Sequence, residues 1–492
     1  MSARLKVAVV HYHFKPGGVT RVVESTLAGF ESIPEEVQFA FISGAPEYDA
    51  DSAASIVLPE LGYSAPGQEL NPEELYFKLL AAARETLGAL PDVWHIHNHS
   101  LGKNKAFSGV VQRLAADGRP ILLHVHDFAE DGRPSNYAHI REGLESDDAL
   151  YPIGEHIHYD FLNGRDFNIM LDAGVPDEQI HLLPNPISVE DSEKDHTPPQ
   201  NFSPFPGRNR LFLYPVRAVR RKNLGELAFW AAVAPKDALL ANTLGPSNPN
   251  FRPAFDRWIK RCAEWKLPVR FELGVHTQAA FSDMVNSAEA MVTTSVAEGF
   301  GLGFLEPWTF NKPLIGRDLA DITKDFKTAG IDLEHLYQRL PIPLDFIEDK
   351  DALDKELREK FTAQYKQYDQ ALPINCFEAV MEAWVQDDCI DFGVLSEPFQ
   401  EAIIARVIRE KPTWAMEAGE AFFNVDQVVE KISANRSKIE GLFTTKNYAQ
   451  QLFEIYKTVS SAPTERVLKH LEPQAVLSNF LSPERFNLLR SS

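Results

Sequence analysis

The stretch Thr293–Trp308, TTSVAEGFGLGFLEPW, decides the fold. It overlaps an apolar run, AMVTTSV from Ala290 to Val296, which reads as a buried strand. AEGFGLG is then the loop at that strand's carboxyl end, and FLEPWTF opens a helix. Amide N–H groups in such a loop and first helical turn point outward unpaired, where the helix dipole favours an anion. Gly299, Gly301 and Gly303 let a ligand approach the backbone closely. Glu298 and Glu306 lie eight positions apart on either side of these glycines. A glycine-rich turn with a capping glutamate accounts for the same spacing.

Upstream, LYPVRAVRRKNLGEL (Leu213–Leu227) passes from strand to helix through Arg217, Arg220, Arg221 and Lys222. Cations there can neutralise a diphosphate and stabilise it as it leaves. A solvated basic turn is the plainer reading, but these charges are concentrated at a strand's carboxyl end in an acidic protein. A diphosphate at this place would have Glu298 on one side and Glu306 on the other. Ionised carboxylates accept hydrogen bonds from hydroxyls. A nucleotide sugar carries hydroxyls at both ends, hexose and ribose.

Strand and helix patterns alternate along most of the chain. LKVAVVHYH, VQFAFIS, DVWHIHNH, PILLHVHDF and ALYPIGEHI read as strands. VTRVVESTLAGF, PEELYFKLLAAARETLG and AFSGVVQRLAADG read as helices between them. This alternation implies a parallel sheet covered on both faces. Residues 188–210, rich in Pro, Ser and charge, read as a linker. The alternation then resumes through LFLYPV, DALLANTLG, VRFELG and AMVTTSV. The expected fold is α/β: two Rossmann-like doubly wound sheets facing a cleft, with extra C-terminal helices. The expected domains are 1–195, 196–345, a helical insertion or extension at 346–425, and helices at 426–492 that complete the second domain and pack back on the first. In the last of these, Tyr448, Leu452, Ile455 and Tyr456 recur at helical spacing.

Composition bounds the function. The chain has 492 residues, 44% hydrophobic and 24% charged, as an ordinary globular protein of two large domains would. No apolar run approaches the ~18–20 residues that cross a bilayer. Net charge is −21; residues 1–200 carry 14 Lys and Arg against 31 Asp and Glu, and the remainder 35 against 39. Such a first half repels nucleic acid and anionic lipid. Cys262, Cys376 and Cys389 have no disulfide or metal spacing, which points to a reduced, cytoplasmic compartment.

Two further features lie in the first half. FKPGGVTRVV places Gly17 and Gly18 between the first strand and its helix, where a tight turn or a phosphate site is equally served. It is not the G-x-G-x-x-G fingerprint of dinucleotide binding. Twelve of the fifteen histidines precede residue 200 and recur as His-x-His, at 11/13, 95/97/99, 124/126 and 156/158. Alternate residues share a strand face, so such pairs near strand ends would line a cleft mouth; in each pair one histidine reads as a satisfied core residue. His126 ends a strand and precedes Asp127, which is positioned to orient it. HNHSLGKNK brings His97, His99, Lys103 and Asn104 to a strand end, where with Asp127 they are the candidates for a second substrate. No metal site is expected.

Taken together, PGGVTRVV, VWHIHNHS, LLHVHDF, LLPNPI, VRAVRRKN, FELG, EGFGLGFLEP and the terminal YAQQLFEIY resemble the retaining GT-B glycosyltransferases of family 4. The resemblance implies that Gly17 and Gly18 face the diphosphate and donor sugar, and that Arg217 and Lys222 bind the phosphates. It implies that Glu298 contacts the sugar hydroxyls, aided by the amides of Phe300, Gly301 and Leu302, and that Glu306 holds the ribose. His126 looks like the histidine that touches the sugar's 6-hydroxyl, and the backbone at Leu273 and Gly274 like the reader of the base. His126, Glu298, Arg217 and Lys222 are then the catalytic set. No cofactor is required, and Mg2+ is tolerated rather than essential. The chain departs from the pattern at Gly303, where proline is usual, in EPWTFNKPLIGRD, and in the extra region around CIDFGVLSEPFQEAIIARV.

The expected activity is transfer of a hexose, with UDP-glucose or GDP-mannose as leading donors, to a small soluble sugar, polyol or glycerate-like acceptor. An epimerase or phosphorylase on the same fold and a non-catalytic sugar-nucleotide sensor are the alternatives. Nucleic acid and membranes are not expected partners; a homo-oligomer is compatible with the sequence.

Overall fold

The computed structural model describes residues 4–45, 54–65, 68, 70–144, 147–187, 208–277, 280–464 and 469–491. The expected linker, apart from residues 208–210, and the boundary at 195/196 lie outside these residues. The chain forms two units. Unit one comprises Met1–Pro186, Tyr365–Gln370 and Phe443–Ser482; unit two comprises Ile187–Gln364, Ala371–Leu442 and Pro483–Ser492. Each is built on a parallel sheet, as the alternation predicts. No helix among the described residues is long and apolar enough to cross a membrane.

The sheet of unit one has seven parallel strands in the spatial order Ala54–Val57, Val37–Ser43, Leu5–His11, Val93–His97, Ile121–Val125, Ile157–Phe161, Ile180–Leu182. Strands Val93–His97, Ile121–Val125 and Ile157–Phe161 are buried at every residue, because helices cover both faces. Val7, Val9, Val22, Val23, Leu122, Leu452 and Tyr456 share one apolar cluster. Helix Gly18–Glu31 lies against helix Thr445–Ser461 so closely that a Cβ on Gly29 would come within 2.4 Å of the Thr445 carbonyl oxygen. The spacing of Tyr448, Leu452, Ile455 and Tyr456 is explained, since all four are buried in this contact.

The sheet of unit two has five parallel strands in the order Val269–Arg270, Ala238–Leu244, Arg210–Arg217, Ala288–Thr293, Leu314–Gly316. The segment 346–425, expected to be helical, also supplies the strands Cys389–Asp391 and Val385–Gln386, which form an antiparallel sheet with Pro341–Pro343 just before it. Its hairpin turns through Asp387 and Asp388, both at positive φ (50° and 57°), as a two-residue reverse turn demands. ALYPIGEHI is likewise not one strand: Pro152–Ile153 pairs antiparallel with Lys469–His470, and the strand of the main sheet starts only at Ile157.

One face of the unit-one sheet is lined by histidine. His11, His95, His97, His124 and His126 are all less than 9% exposed. His95 Nε2 meets His124 Nδ1 at 3.1 Å, His97 Nδ1 meets His126 Nε2 at 2.9 Å, and Tyr456 Oη lies 2.7 Å from His95 Nδ1. His124 Nδ1 is 3.3 Å from the buried Asp160 carboxylate. Ring nitrogens of His95, His97 and His124 come within 4.8 Å of one another. Their planes lie 8° to 33° apart, and Tyr456, His126 and Asp160 each sit against a ring nitrogen of one of the three. Burial pushes His11, His95 and His126 down to about 3 and His99 to about 4, and holds His97 and His124 well below the ordinary value.

These rings are neutral in the fold, but in the unfolded chain they titrate near pH ~6.5. Below that pH the unfolded state takes up protons that the folded state refuses, so stability falls from about pH 6.5 toward 3. Burial acts oppositely on Glu130, pushed up to about 7, and on Asp160, but these carboxyls are outnumbered. The thermal midpoint of unit one is therefore expected to be several degrees lower at pH 5 than at pH 7.5. Calorimetry showing a flat or rising midpoint on acidification would contradict this account.

Candidate functional site

In unit two the strand order reverses between Arg210–Arg217 and Ala288–Thr293, and ligands of such sheets bind beyond the carboxyl ends at this point. The turn leaving the first strand and the loop leaving the second are stitched together. Val296 N–H donates to the Arg221 carbonyl at 2.8 Å, and Thr294 Oγ1 donates to the carbonyls of Lys222 at 2.9 Å and Asn223 at 3.1 Å. The turn Arg220–Lys222 ends on Asn223, held in the left-handed region at φ 47°. The Asn223 side chain accepts from Glu226 N–H at 3.3 Å, so it caps helix Leu224–Ala232. Its Nδ2 donates to Glu226 at 2.8 Å, and Gln400 Nε2 donates to its Oδ1 at 2.9 Å.

The stitching places Lys222 Nζ on Glu298 Oε1, with both side chains only 15% exposed. Ser295 Oγ donates to the same carboxylate oxygen at 2.6 Å, and Tyr214 Oη lies 2.7 Å from Ser295. Burial pushes the Glu298 carboxyl up, but the charges of Lys222 and Arg221 and the hydrogen bonds from Lys222 and Ser295 outweigh it and hold it below the ordinary range. Beyond Glu298, no acceptor meets the amides of Phe300, Gly301 and Leu302 among the described residues. Gly301 turns the loop at φ 93°, where a Cβ would also strike Ile322 at 2.8 Å. Glu306 begins the short helix Glu306–Thr309 and is half-buried. Arg217 is exposed and reaches the Gly245 carbonyl at 3.5 Å.

FELG is not the end of a strand. The strand stops at Arg270, Glu272 takes φ 54°, and Leu273 opens the helix Leu273–Thr277. Asn242 Oδ1 accepts from Glu272 N–H at 3.1 Å, which holds the bend, and Arg252 pairs with Glu272 at 2.9 Å.

In unit one, Gly17 and Gly18 start helix Gly18–Glu31 with no packing need for glycine: a Cβ on Gly17 would meet only the Lys15 carbonyl at 3.7 Å, and one on Gly18 nothing within 4 Å. His126 is 8% exposed, and its ring is held by His97, not by Asp127. Asp127 instead pairs with Arg133 Nη2 at 2.5 Å. The expectation of a substrate-facing His97, His99 and Asn104 meets burial. His99 Nε2 sits 3.1 Å from the Leu150 carbonyl, and Asn104 Nδ2 donates to the carbonyls of Glu60 and Gly62 at 2.7 Å each. Lys103 and Asp127 are the two of that set that reach the surface. Sequence reading passed over Asn223, Thr294, Ser295 and Arg133. The Asn-x-x-Glu pattern at 223–226 is a helix-start signal that points to the first of these.

No protein-family model matches the chain. It is 25% identical to a mannosylglucosyl-3-phosphoglycerate synthase of Petrotoga mobilis, over 98% of this chain and 99% of that protein. It superposes on a glycosyltransferase of Rickettsia africae with a TM-score of 0.56 at 12% identity, covering 93% of this chain and 99% of that one. HepE of Anabaena, solved with UDP-glucose, gives a TM-score of 0.54 at 12% identity, over 92% and 100% of the two chains. At such identities the solved structures establish the fold, the two-sheet GT-B architecture. With the full-length relative, they support a GT-B glycosyltransferase.

Asn223→Ala removes a cap and a residue suited to the left-handed region, and it leaves Gln400 without its partner. The unit-two transition in urea is expected to lose about 2 kcal/mol. A loss of less than about 0.5 kcal/mol, the range of neutral surface changes, would show that the turn is held by other means.

Proposed function

We propose that the chain is a retaining glycosyltransferase that moves a hexose from a nucleoside-diphosphate sugar to an acceptor bearing a glycerate or phosphoglycerate group. The observation that carries this reading is the Lys222–Glu298 pair beside the amides of Phe300, Gly301 and Leu302. Lys222 and those amides take the diphosphate, with Arg217 at its outer edge. Glu298, kept ionised, accepts from hexose hydroxyls, and Glu306 does the same for the ribose. Gly17 and Gly18, which no packing contact requires to be glycine, keep the donor-binding role that the family resemblance implies. Neutral His126 serves as a hydrogen-bonding partner for the sugar rather than as an acid. The product named for the Petrotoga relative supports an acceptor with a phosphoglycerate end.

The chemistry follows from charge. The bond from the anomeric carbon to the β-phosphate oxygen breaks, and its electron pair stays on that oxygen. Lys222, Arg217 and the loop amides stabilise the developing negative charge, as an oxyanion hole does. The acceptor hydroxyl oxygen bonds to the anomeric carbon on the same face, and its proton passes to the departing phosphate oxygen. Retention of configuration follows without a carboxylate nucleophile. These cations and amides supply the stabilisation that a divalent ion would otherwise give.

Glu298→Gln keeps the shape but removes the charge. Turnover with UDP-glucose or GDP-mannose is expected to fall about 10²–10³-fold, while the donor still raises the thermal midpoint. Unchanged transfer by this variant would remove Glu298 from the site. Donor binding by the native chain without transfer to any acceptor would favour a sensor.

A further inference from the structure

Loops from three adjacent strands of unit one meet around a lysine. Leu5–His11, Val93–His97 and Ile121–Val125 lie side by side, so their carboxyl-end loops adjoin. They bring together His13, Lys103, Asp127 and Arg133, with Tyr63 from the segment after Pro59–Leu61. His13 Nε2 lies 3.0 Å from Tyr63 Oη, and Lys103 Nζ stands over the Tyr63 ring at 5.5 Å. The ring of Tyr63 packs in turn on the buried Tyr12, whose hydroxyl donates to the Asn98 carbonyl at 2.8 Å. Asn98 Oδ1 accepts from the amides of His126 and Asp127 at 2.8 and 3.2 Å, which fixes one loop against the other. The guanidinium of Arg133 is braced by Asp127 and by the Phe128 carbonyl at 2.7 Å, and its backbone N–H donates to Tyr368 Oη at 2.7 Å.

Lys103 is the anomaly. It is half-buried, yet no carboxylate lies within ion-pair distance of it among the described residues. Its amine is held below the ordinary lysine range by burial and by the charge of Arg133, with Asp127 pulling the other way. In a segment with more than twice as many acids as bases, leaving this cation without an acid partner is costly unless an anion from solution completes it. Arg133 is partly satisfied by Asp127 and still 29% exposed. Asp131 also bears on the Arg133 charge but lies 4.0 Å from Arg165, so among the described residues Asp127 is the one carboxylate that acts on both Lys103 and Arg133, on a rigid, aromatic-walled platform.

We propose that Lys103 and Arg133, walled by Tyr63 and His13, form the subsite that binds the acid group of the acceptor, a phosphate monoester or a carboxylate. This rests on the transferase reading above and adds to it the residues that select an anionic acceptor. Arg133 offers a planar fork suited to paired oxygens, and Lys103 a point charge. Asp127, released in part from Arg133, is placed to accept from an acceptor hydroxyl.

Steady-state transfer by the full chain is measured at saturating donor with glucosyl-3-phosphoglycerate and with glucosylglycerate as acceptors. Lys103→Met is expected to raise the acceptor KM roughly 10–100-fold, the effect of one charged hydrogen bond, with a smaller change in kcat. Arg133→Lys, which keeps the charge but not the fork, gives a lesser rise. A donor-induced rise in thermal midpoint equal to that of the native chain shows that each variant is folded. A penalty confined to the phosphorylated acceptor identifies the phosphate as the bound group, and an equal penalty on both identifies the carboxylate. An acceptor KM within about threefold of native for both acceptors in Lys103→Met overturns the subsite while leaving the transferase reading intact. A native chain that binds donor but transfers to neither acceptor overturns the anionic-acceptor reading and the subsite with it.

Discussion

Glu226 is fully buried in the first turn of helix Leu224–Ala232, and its charge must be met inside the protein. Arg317 meets it with Nε at 2.9 Å and Nη2 at 2.7 Å, Tyr337 Oη donates at 2.6 Å, and Asn223 Nδ2 at 2.8 Å. Arg317 in turn holds Asp391 at 2.8 Å. Removing one member of such a set strands a buried charge, at a cost of about 3–5 kcal/mol. The network is also geometric. It locks Asn223 in its left-handed conformation, one residue after Lys222, and so aims the ammonium at Glu298. The added segments take part directly: Asp391 anchors the small antiparallel sheet, and Gln400 completes Asn223. The extra region of the chain thus braces the turn on which the proposed donor site depends.

Charge is distributed with the same economy. The protein is strongly acidic, yet the carboxyl ends of the central strands in each unit carry cations: Arg217, Arg221 and Lys222 in one, Lys103 and Arg133 in the other. The acidic excess is concentrated in the first 200 residues, so the background sharpens Lys103 and Arg133 most, because an anionic substrate is repelled by the surface around them. The histidines of unit one play a different part. Buried and neutral, they form a polar ladder within the sheet and place the one imidazole at the ladder's edge, His126. That ring is positioned by another histidine, since Asp127 is committed to Arg133.

Much of this was legible in the chain. Strand–loop–helix text at Thr293–Trp308 and Leu213–Leu227 is local, and local periodicity carries fold class. The sequence brought Lys222 and Glu298 to one diphosphate site, but not their direct pairing, which comes from the neighbouring placement of strands Arg210–Arg217 and Ala288–Thr293. What stayed hidden depended on distant partners. Glu226 and Arg317 lie 91 residues apart, and nothing near either one announces the other. Arg133 carries no local sequence signal of its pairing with Asp127. The bend at FELG was hidden because its strand is only two residues long and Glu272 adopts a conformation rare for glutamate. The hairpin at Asp387–Asp388 was obscured by helix-forming neighbours on both sides. His97 and His99 show the opposite error: polar side chains near a strand end were read as facing a substrate, whereas the helices of unit one bury them.

The central claim is that Lys222, delivered by this braced turn, reads the second phosphate of a nucleotide. Calorimetric titration of the native chain and Lys222→Met with a nucleoside diphosphate and the matching monophosphate isolates that contact. The account predicts that the native chain prefers the diphosphate at least ~10-fold, a difference of about 1.4 kcal/mol, and that the preference disappears in the variant. Equal preference in both proteins would show that the diphosphate is held elsewhere.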